Sequence, residues 1–446
     1  MANAANLVNF GAGGGTAIGD VIYSAYALTA PSYLPLNSDT ASYLTSSYPT
    51  LGAIYAPTTV AYSTTTTTIP VNGSAYNFNF GNNTYLGWDT TGNIITSADC
   101  VNWNVSGINT DYIVRTNAGV NIKALGGWLS MAYGNGRFVA LRPAPIFTTS
   151  AGASETTSIG GTAVSTDNGL TWTQGTIPQT FSVAGTDITY LDSNYNWRCI
   201  GFGNGYFQAY GFAVASGGGT GVAVSSYSAD GIEWSSPTGL GTATTIYYTV
   251  PAAMAYGNGV FVLPYSAQAS TSTVVFTRSG TTPGSTVGWT VQNLATAQWW
   301  RSIAFGNGVF VVVGSAAAAG SNIANTSTDG VTWTNRTLPA TLLWVSVTFA
   351  NGYFVAVGND PASASITNAI ATSTDGITWT LRATTAAITH GPVAGGNGRF
   401  IYQDATTASI IASSRASVIN FSVSSSSFTL PMVAPMKAMT PYMKAT

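Results

Sequence analysis

Gly306-Asn307-Gly308-Val309-Phe310-Val311-Val312-Val313, followed by Ser327-Thr328-Asp329-Gly330-Val331-Thr332-Trp333, decides how this chain is read. Asn-Gly and Asp-Gly supply the positive φ angles that a two-residue type I′ turn requires. The segment after the first turn, 309–313, is β-branched and aromatic, the composition of a strand. The stretch therefore reads as strand, G-N-G turn, strand, loop, strand, D-G turn, strand.

The same phrases recur along the chain. The G-N-G-x-F phrase stands at Gly134–Phe138, Gly203–Phe207, Gly257–Phe261, Gly306–Phe310 and Gly396–Phe400, with Ala350–Phe354 a one-letter variant and Gly81-Asn82-Asn83 a weaker first copy. Its asparagines are 82, 135, 204, 258, 307, 351 and 397, at spacings of 44 to 69 residues. The aspartate phrase follows around Asp99, Asp167, Asp230, Asp329 and Asp375; it has decayed in the fourth unit and is missing from the seventh. Four antiparallel strands in each unit of roughly 40–50 residues is the sequence signature of a propeller blade. The expected fold is all-β: a seven-bladed β-propeller over 74–424. An N-terminal segment (1–55), a Thr-rich linker (56–73, with five consecutive threonines, Thr64 to Thr68) and a C-terminal segment (425–446) complete the chain. A stacked β-solenoid is the competing architecture.

Composition narrows the function. Only 6% of residues are charged and the net charge is −2, whereas 45% are hydrophobic and 12% aromatic. Soluble domains carry about 25% charged residues. So few cations cannot neutralise a string of phosphates, which argues against nucleic-acid binding. No apolar run reaches the roughly 18 residues of a membrane span. The first residues, Met1-Ala2-Asn3-Ala4-Ala5-Asn6, lack the basic and apolar regions of a signal peptide. Cys100 and Cys199 fall in non-adjacent units and read as free buried thiols, and the single histidine, His390, leaves no His-based zinc site. No metal or cofactor is expected.

Ser165-Thr166-Asp167-Asn168-Gly169-Leu170-Thr171-Trp172 resembles the Asp-box of sialidase-like propellers letter for letter, and the phrases ending at Trp333 and Trp379 resemble a shortened form. The resemblance implies the propeller fold rather than an activity. Asp99, Asp167, Asp230, Asp329 and Asp375 are read as structural turn residues, because a turn aspartate caps its own backbone N–H groups. A glycosidase of this kind needs an acid pair, and sialidases add an arginine cluster. The chain has two glutamates, Glu155 and Glu233, scattered arginines and no acid pair visible in sequence. The expectation is that it is not an enzyme, with a sialidase-like glycan hydrolase as the alternative.

The ends have another texture. Gly19-Asp20-Val21-Ile22, Pro31-Ser32-Tyr33-Leu34-Pro35 and Ser46-Ser47-Tyr48-Pro49-Thr50-Leu51, with Phe428-Thr429-Leu430-Pro431 and Tyr442-Met443-Lys444-Ala445 at the other end, resemble the phage tail-collar family. The family's Gly-Trp-Leu-x-Cys is replaced here by Ser32-Tyr33-Leu34-Pro35-Leu36. The resemblance implies two halves of one small domain with the propeller inserted between them. It also implies a virion protein, a tail fibre or receptor-binding subunit, that forms a homo-oligomer such as a trimer, contacts other virion proteins, binds host-surface carbohydrate and does not insert in membranes. A purely architectural virion protein is a further alternative.

Variable loops on a rigid scaffold usually carry recognition. In an up-down blade the repeated turns share one face, and the connections between strands two and three and between blades share the other. Seven residues before the G-N-G asparagine stand Trp128, Trp197, Trp300, Trp344 and His390, with Arg198 and Arg301 next to two of them. These seven residues are the candidate glycan site, an aromatic funnel at the channel mouth. The same tryptophans also fit a packing role, each filling the gap between adjacent blades.

Overall fold

The computed structural model describes residues 8–9, 21–24, 33–35, 42–44, 60–70, 77–89, 92–108, 113–115, 121–123, 128–142, 160–178, 180–183, 186–189, 196–213, 222–239, 253–264, 272–279, 289–316, 319–360, 369–383, 389–405, 415–423, 427–429 and 440–444. The chain divides into two compact units: Met1–Ser63 with Asn420–Thr446, and Thr64–Ile419.

The larger unit is all-β and built of four-stranded antiparallel sheets. The decisive stretch folds as its turn chemistry dictates. Asn307 and Gly308 take φ of 47° and 77°, and the ladder closes with Gly306 opposite Val309 and Phe305 opposite Phe310. All seven G-N-G asparagines have φ between 45° and 52°. Strand Val309–Ser315 is buried along nearly its whole length rather than on alternate residues. Each sheet is covered on both faces, so its middle strands read as continuous apolar runs.

Strands Thr290–Gly306 and Thr334–Ala350 each serve two sheets, outermost in one and innermost in the next. The loops expected between blades are therefore absent at these two places. The first strand of every sheet lies against the first strand of the next, and that of the last sheet, Thr389–Gly396, lies against that of the first, Asn77–Gly81. This is the architecture of a β-propeller. Its last sheet runs Thr389–Gly396, Arg399–Ala405, Arg415–Val423 and then Val60–Thr68. The threonine run expected to be a linker is thus part of a strand. It comes from upstream of the first sheet and completes the last one.

Packing explains the repeated glycine. A methyl group on Gly306 would fall 2.0 Å from Cγ of Phe349, which lies in the next sheet two residues before its own turn asparagine. The same contact recurs from Gly81 to Tyr133, Gly134 to Phe202, Gly203 to Tyr256, Gly257 to Phe305 and, returning to the start, Gly396 to Phe80. Each of these aromatics also meets the ring three residues after its own turn asparagine, a phenylalanine in every unit but the first, where Phe80 meets Tyr85; the ring centroids are 4.7–4.9 Å apart. One joint differs. Where the first glycine is Ala350, the facing aromatic is replaced by Gly395, and a methyl there would lie 2.9 Å from Ala350 Cβ.

The turn asparagines bind neighbouring sheets to one another. Asn135 Nδ2 donates to the carbonyls of Gly205 (2.8 Å) and Ala229 (3.1 Å), and Asn258 Nδ2 to those of Gly308 (3.0 Å) and Thr328 (2.7 Å). Between the last and first sheets, Arg399 Nη1 donates to Asp99 O at 3.2 Å and the Tyr85 hydroxyl donates to the carbonyls of Gly396 and Arg399.

The aspartates act within their turns. Asp329 Oδ1 accepts the N–H groups of Val331 (2.8 Å) and Thr332 (2.7 Å) and the Ser327 hydroxyl (2.8 Å). Equivalent bonds surround Asp99, Asp167, Asp230 and Asp375. Burial alone would raise the Asp329 carboxyl, but the N–H groups of Thr332 and Val331 and the Ser327 hydroxyl outweigh it and hold it at about 2. An unfolded aspartate titrates near 3.9. The folded value is depressed, so the cap contributes fully above about pH 4 and its contribution is lost as the pH falls toward 2. Asp329→Asn should therefore melt below the parent protein at pH 7, and the gap should shrink at pH 2. Thermal melts at the two pH values check this.

In the smaller unit, strand Thr440–Lys444 lies between Val21–Ser24 and Tyr33–Pro35, with Ile22 opposite Tyr442 and Leu34 opposite Met443. Ser427–Thr429 pairs with Ser42–Leu44. Strands from the two ends of the sequence thus share sheets.

Candidate functional site

The innermost strands surround a cavity of about 230 Å³. Every sheet contributes to it, mostly through residues three to six positions before its turn asparagine, among them Asn77, Asn79, Ser130, Arg301, Ser302 and Ser346. Several of these polar groups are already engaged between sheets. The hydroxyls of Ser130, Ser302 and Ser346 accept the backbone N–H groups of Ile200 (3.2 Å), Val347 (3.1 Å) and Val393 (3.1 Å). Asn79 Nδ2 donates to Met131 O at 2.8 Å.

Arg301 is different. Its side chain is exposed, its guanidinium carbon stands 5.3 Å from the Trp299 ring centroid, and it pairs with no carboxylate among the described residues. Guanidinium stacked on an indole is a favourable cation–π arrangement. It leaves the guanidinium edge available to a ligand, which the planar fork suits.

The tryptophan funnel is corrected. Trp128, Trp197, Trp300 and Trp344 are 2%, 2%, 1% and 0% exposed, so no sugar can stack on them. Trp344 packs with Val313, Ala324 and Leu338 of the preceding sheet and donates from Nε1 to Ser321 O at 3.0 Å. Trp300 packs with Val262 and Leu294, Trp197 with Leu141 and Ile177, and Trp128 with Leu86 and Ile94. They fill the gaps between sheets. Arg198 is half-buried, and its burial lowers its pKa.

For His390 the backbone is described. It stands directly opposite Asp404 in the pairing of Thr389–Gly396 with Arg399–Ala405. Directly opposed residues of an antiparallel pair have Cβ atoms about 4.5–5.5 Å apart. Sequence reading missed Asp404 and Trp299. Counting the hairpin register outward from Asn397 sets His390 opposite Ala405; the irregularity between His390 and Val393 shifts it to Asp404, which regular pairing does not reveal. Glu155 lies outside the described residues, and Glu233 is exposed in its turn. Burial pushes the Cys100 thiol up to about 12 and also raises Cys199, so neither is a ready nucleophile at neutral pH.

No protein-family model matches the chain, so the likeness of its ends to tail-collar proteins has no support there. No curated protein matches either. Among solved structures, YCF48 bound to D1 peptide aligns with a TM-score of 0.46 at 11% identity, over 80% of this chain and 96% of that one. The GH93 α-L-arabinofuranosidase of Fusarium graminearum with arabinobiose aligns at 0.42 and 14%, over 70% and 98%. The Penicillium chrysogenum α-L-arabinanase with arabinobiose aligns at 0.40 and 12%, over 82% and 98%. Glycoside hydrolases are prominent among these structures, and the expectation that this chain is not an enzyme is withdrawn on that finding.

Proposed function

We propose that this chain is a seven-bladed propeller that binds and hydrolyses carbohydrate at the open end of its central channel. The count of seven rests on the Gly396–Phe80 contact, which returns the succession of sheets to its start. The carbohydrate reading is carried by Arg301, an exposed guanidinium on a cavity otherwise lined by amides, hydroxyls and apolar groups. Trp299 beneath it supplies an indole of the kind whose face suits sugar C–H groups. His390 and Asp404, opposed in register on the last sheet, are the proposed pair that holds and moves a proton.

The full chain should be retained by, and release sugar from, at least one member of a panel of neutral and acidic polysaccharides. Arg301→Ala should abolish retention. Asp404→Asn should cut release at least about 100-fold, the lower bound for losing general acid–base help, while leaving retention intact. Failure of the parent protein to retain or cleave any of the panel would sink the reading.

A second reading, an adhesion subunit of a virion, draws on the sheet that joins Val21–Ser24 to Thr440–Lys444. In it the terminal unit anchors the propeller and self-associates, and trimers are expected by sedimentation at micromolar concentration. A monomer there would remove the self-association.

A further inference from the structure

We propose that Asn351 is a site of spontaneous covalent modification, cyclising with Gly352 and hydrolysing to aspartate and isoaspartate, while the equivalent Asn397 one sheet further on is protected. One hydrogen bond decides both outcomes: the backbone N–H of Gly398 donates to Oδ1 of Asn351 at 3.0 Å.

Every one of these turns except the first, where Asn83 follows Asn82, offers the same reactive dipeptide, an asparagine followed by a glycine whose nitrogen is unhindered. In the reaction the backbone nitrogen of Gly352 attacks Cγ of Asn351. A C–N bond forms, the Cγ–Nδ2 bond breaks, and ammonia leaves with the proton from the Gly352 nitrogen. Water then opens the five-membered imide at either carbonyl, giving aspartate or isoaspartate. The difficult moment is the build-up of negative charge on Oδ1 as the nitrogen adds.

The asparagines differ in what holds their side-chain amides. In Asn135, Asn258 and Asn307 it is Nδ2 that is held, donating to carbonyls of the next sheet. Those bonds fix the amide without drawing charge onto its oxygen. At Asn351 the polarity is reversed. The seventh unit lacks an aspartate phrase to offer a carbonyl, and the partner is an N–H aimed at Oδ1. A donor at about 2.7–3.1 Å from a developing oxyanion is the arrangement that stabilises such charge. The partner assignment also fixes which atom is which, because an N–H can only face the amide oxygen.

The same bond restrains Asn397. Its nucleophile is the nitrogen of Gly398, and that nitrogen's proton is engaged by Asn351. A backbone N–H held in a hydrogen bond is harder to deprotonate and must break that bond before it attacks. The consequence falls on the joint between Ala350 and Gly395, which already lacks the glycine–aromatic contact found at other joints. Isoaspartate adds a backbone atom to a two-residue turn and dismantles its geometry.

The full chain is incubated in mildly alkaline buffer and sampled over days, and each Asn-Gly peptide is quantified by mass spectrometry. Asn351 should convert about tenfold faster than Asn135, Asn258 and Asn307, the gain expected of one well-placed hydrogen bond to the transition state. Asn397 should lag behind Asn351. Equal rates at all sites, or Asn397 ahead of Asn351, would overturn the proposal. In Asn351→Gly, which tolerates the φ of 52°, the Gly398 N–H is released and conversion of Asn397 should rise about tenfold. An unchanged Asn397 rate in that folded variant would also overturn it.

Discussion

Gly306→Ala is expected to destabilise the propeller by about 3 kcal/mol or more, at the upper end of what overpacking costs. The added methyl would sit 2.0 Å from the ring of Phe349, and that ring cannot retreat freely because it lies 4.7 Å from Phe354, which is itself fully buried. The protein carries the compensated form of this change at another joint, where Ala350 faces Gly395 and the Phe400 ring approaches Gly395. Adding Phe349→Gly to Gly306→Ala should therefore restore part of what the single change loses. Alone, Phe349→Gly should cost about 3–5 kcal/mol as a core aromatic deletion. The double variant should be more stable than the sum of the two losses predicts by at least about 1 kcal/mol, the coupling expected of residues in direct contact. Urea melts of the four proteins measure this. Simple additivity would mean that glycine and aromatic do not constrain one another.

That pairing was legible in the sequence and easy to overlook. Phe80, Tyr133, Phe202, Tyr256, Phe305 and Phe349 all stand two residues before a turn asparagine, and the exception, Gly395, falls in the unit after the exceptional Ala350. The turns themselves were readable because Asn-Gly and Asp-Gly carry their backbone conformation in their own chemistry. The role of Thr64–Thr68 was not. A run of threonines has no alternation of its own, and it becomes part of a strand because the last sheet has an edge for it to cover. The four tryptophans were misplaced for a related reason. Trp299 and Trp300 are neighbours on one strand and point to opposite faces, so a one-residue choice separates a half-exposed ring from a buried one. Which face is covered depends on the adjacent sheet, and local sequence does not contain that information.

Trp344→Ala and Arg301→Ala should separate scaffold from site, with opposite outcomes in two measurements. Trp344 is completely buried against the preceding sheet, and its indole N–H is satisfied by Ser321 O. Its truncation opens a cavity and leaves that carbonyl short of a donor, at a cost of about 3–5 kcal/mol. The folded fraction should still retain carbohydrate, because no part of the side chain reaches the channel. Arg301→Ala removes an exposed guanidinium from the cavity wall, so the melt should shift by no more than about 0.5 kcal/mol. Retention should vanish, because the guanidinium fork that would grip the ligand is gone. Loss of retention by folded Trp344→Ala would return the buried tryptophans to the site. Undiminished retention by Arg301→Ala would move the site away from the channel, to the connections between sheets on the same face.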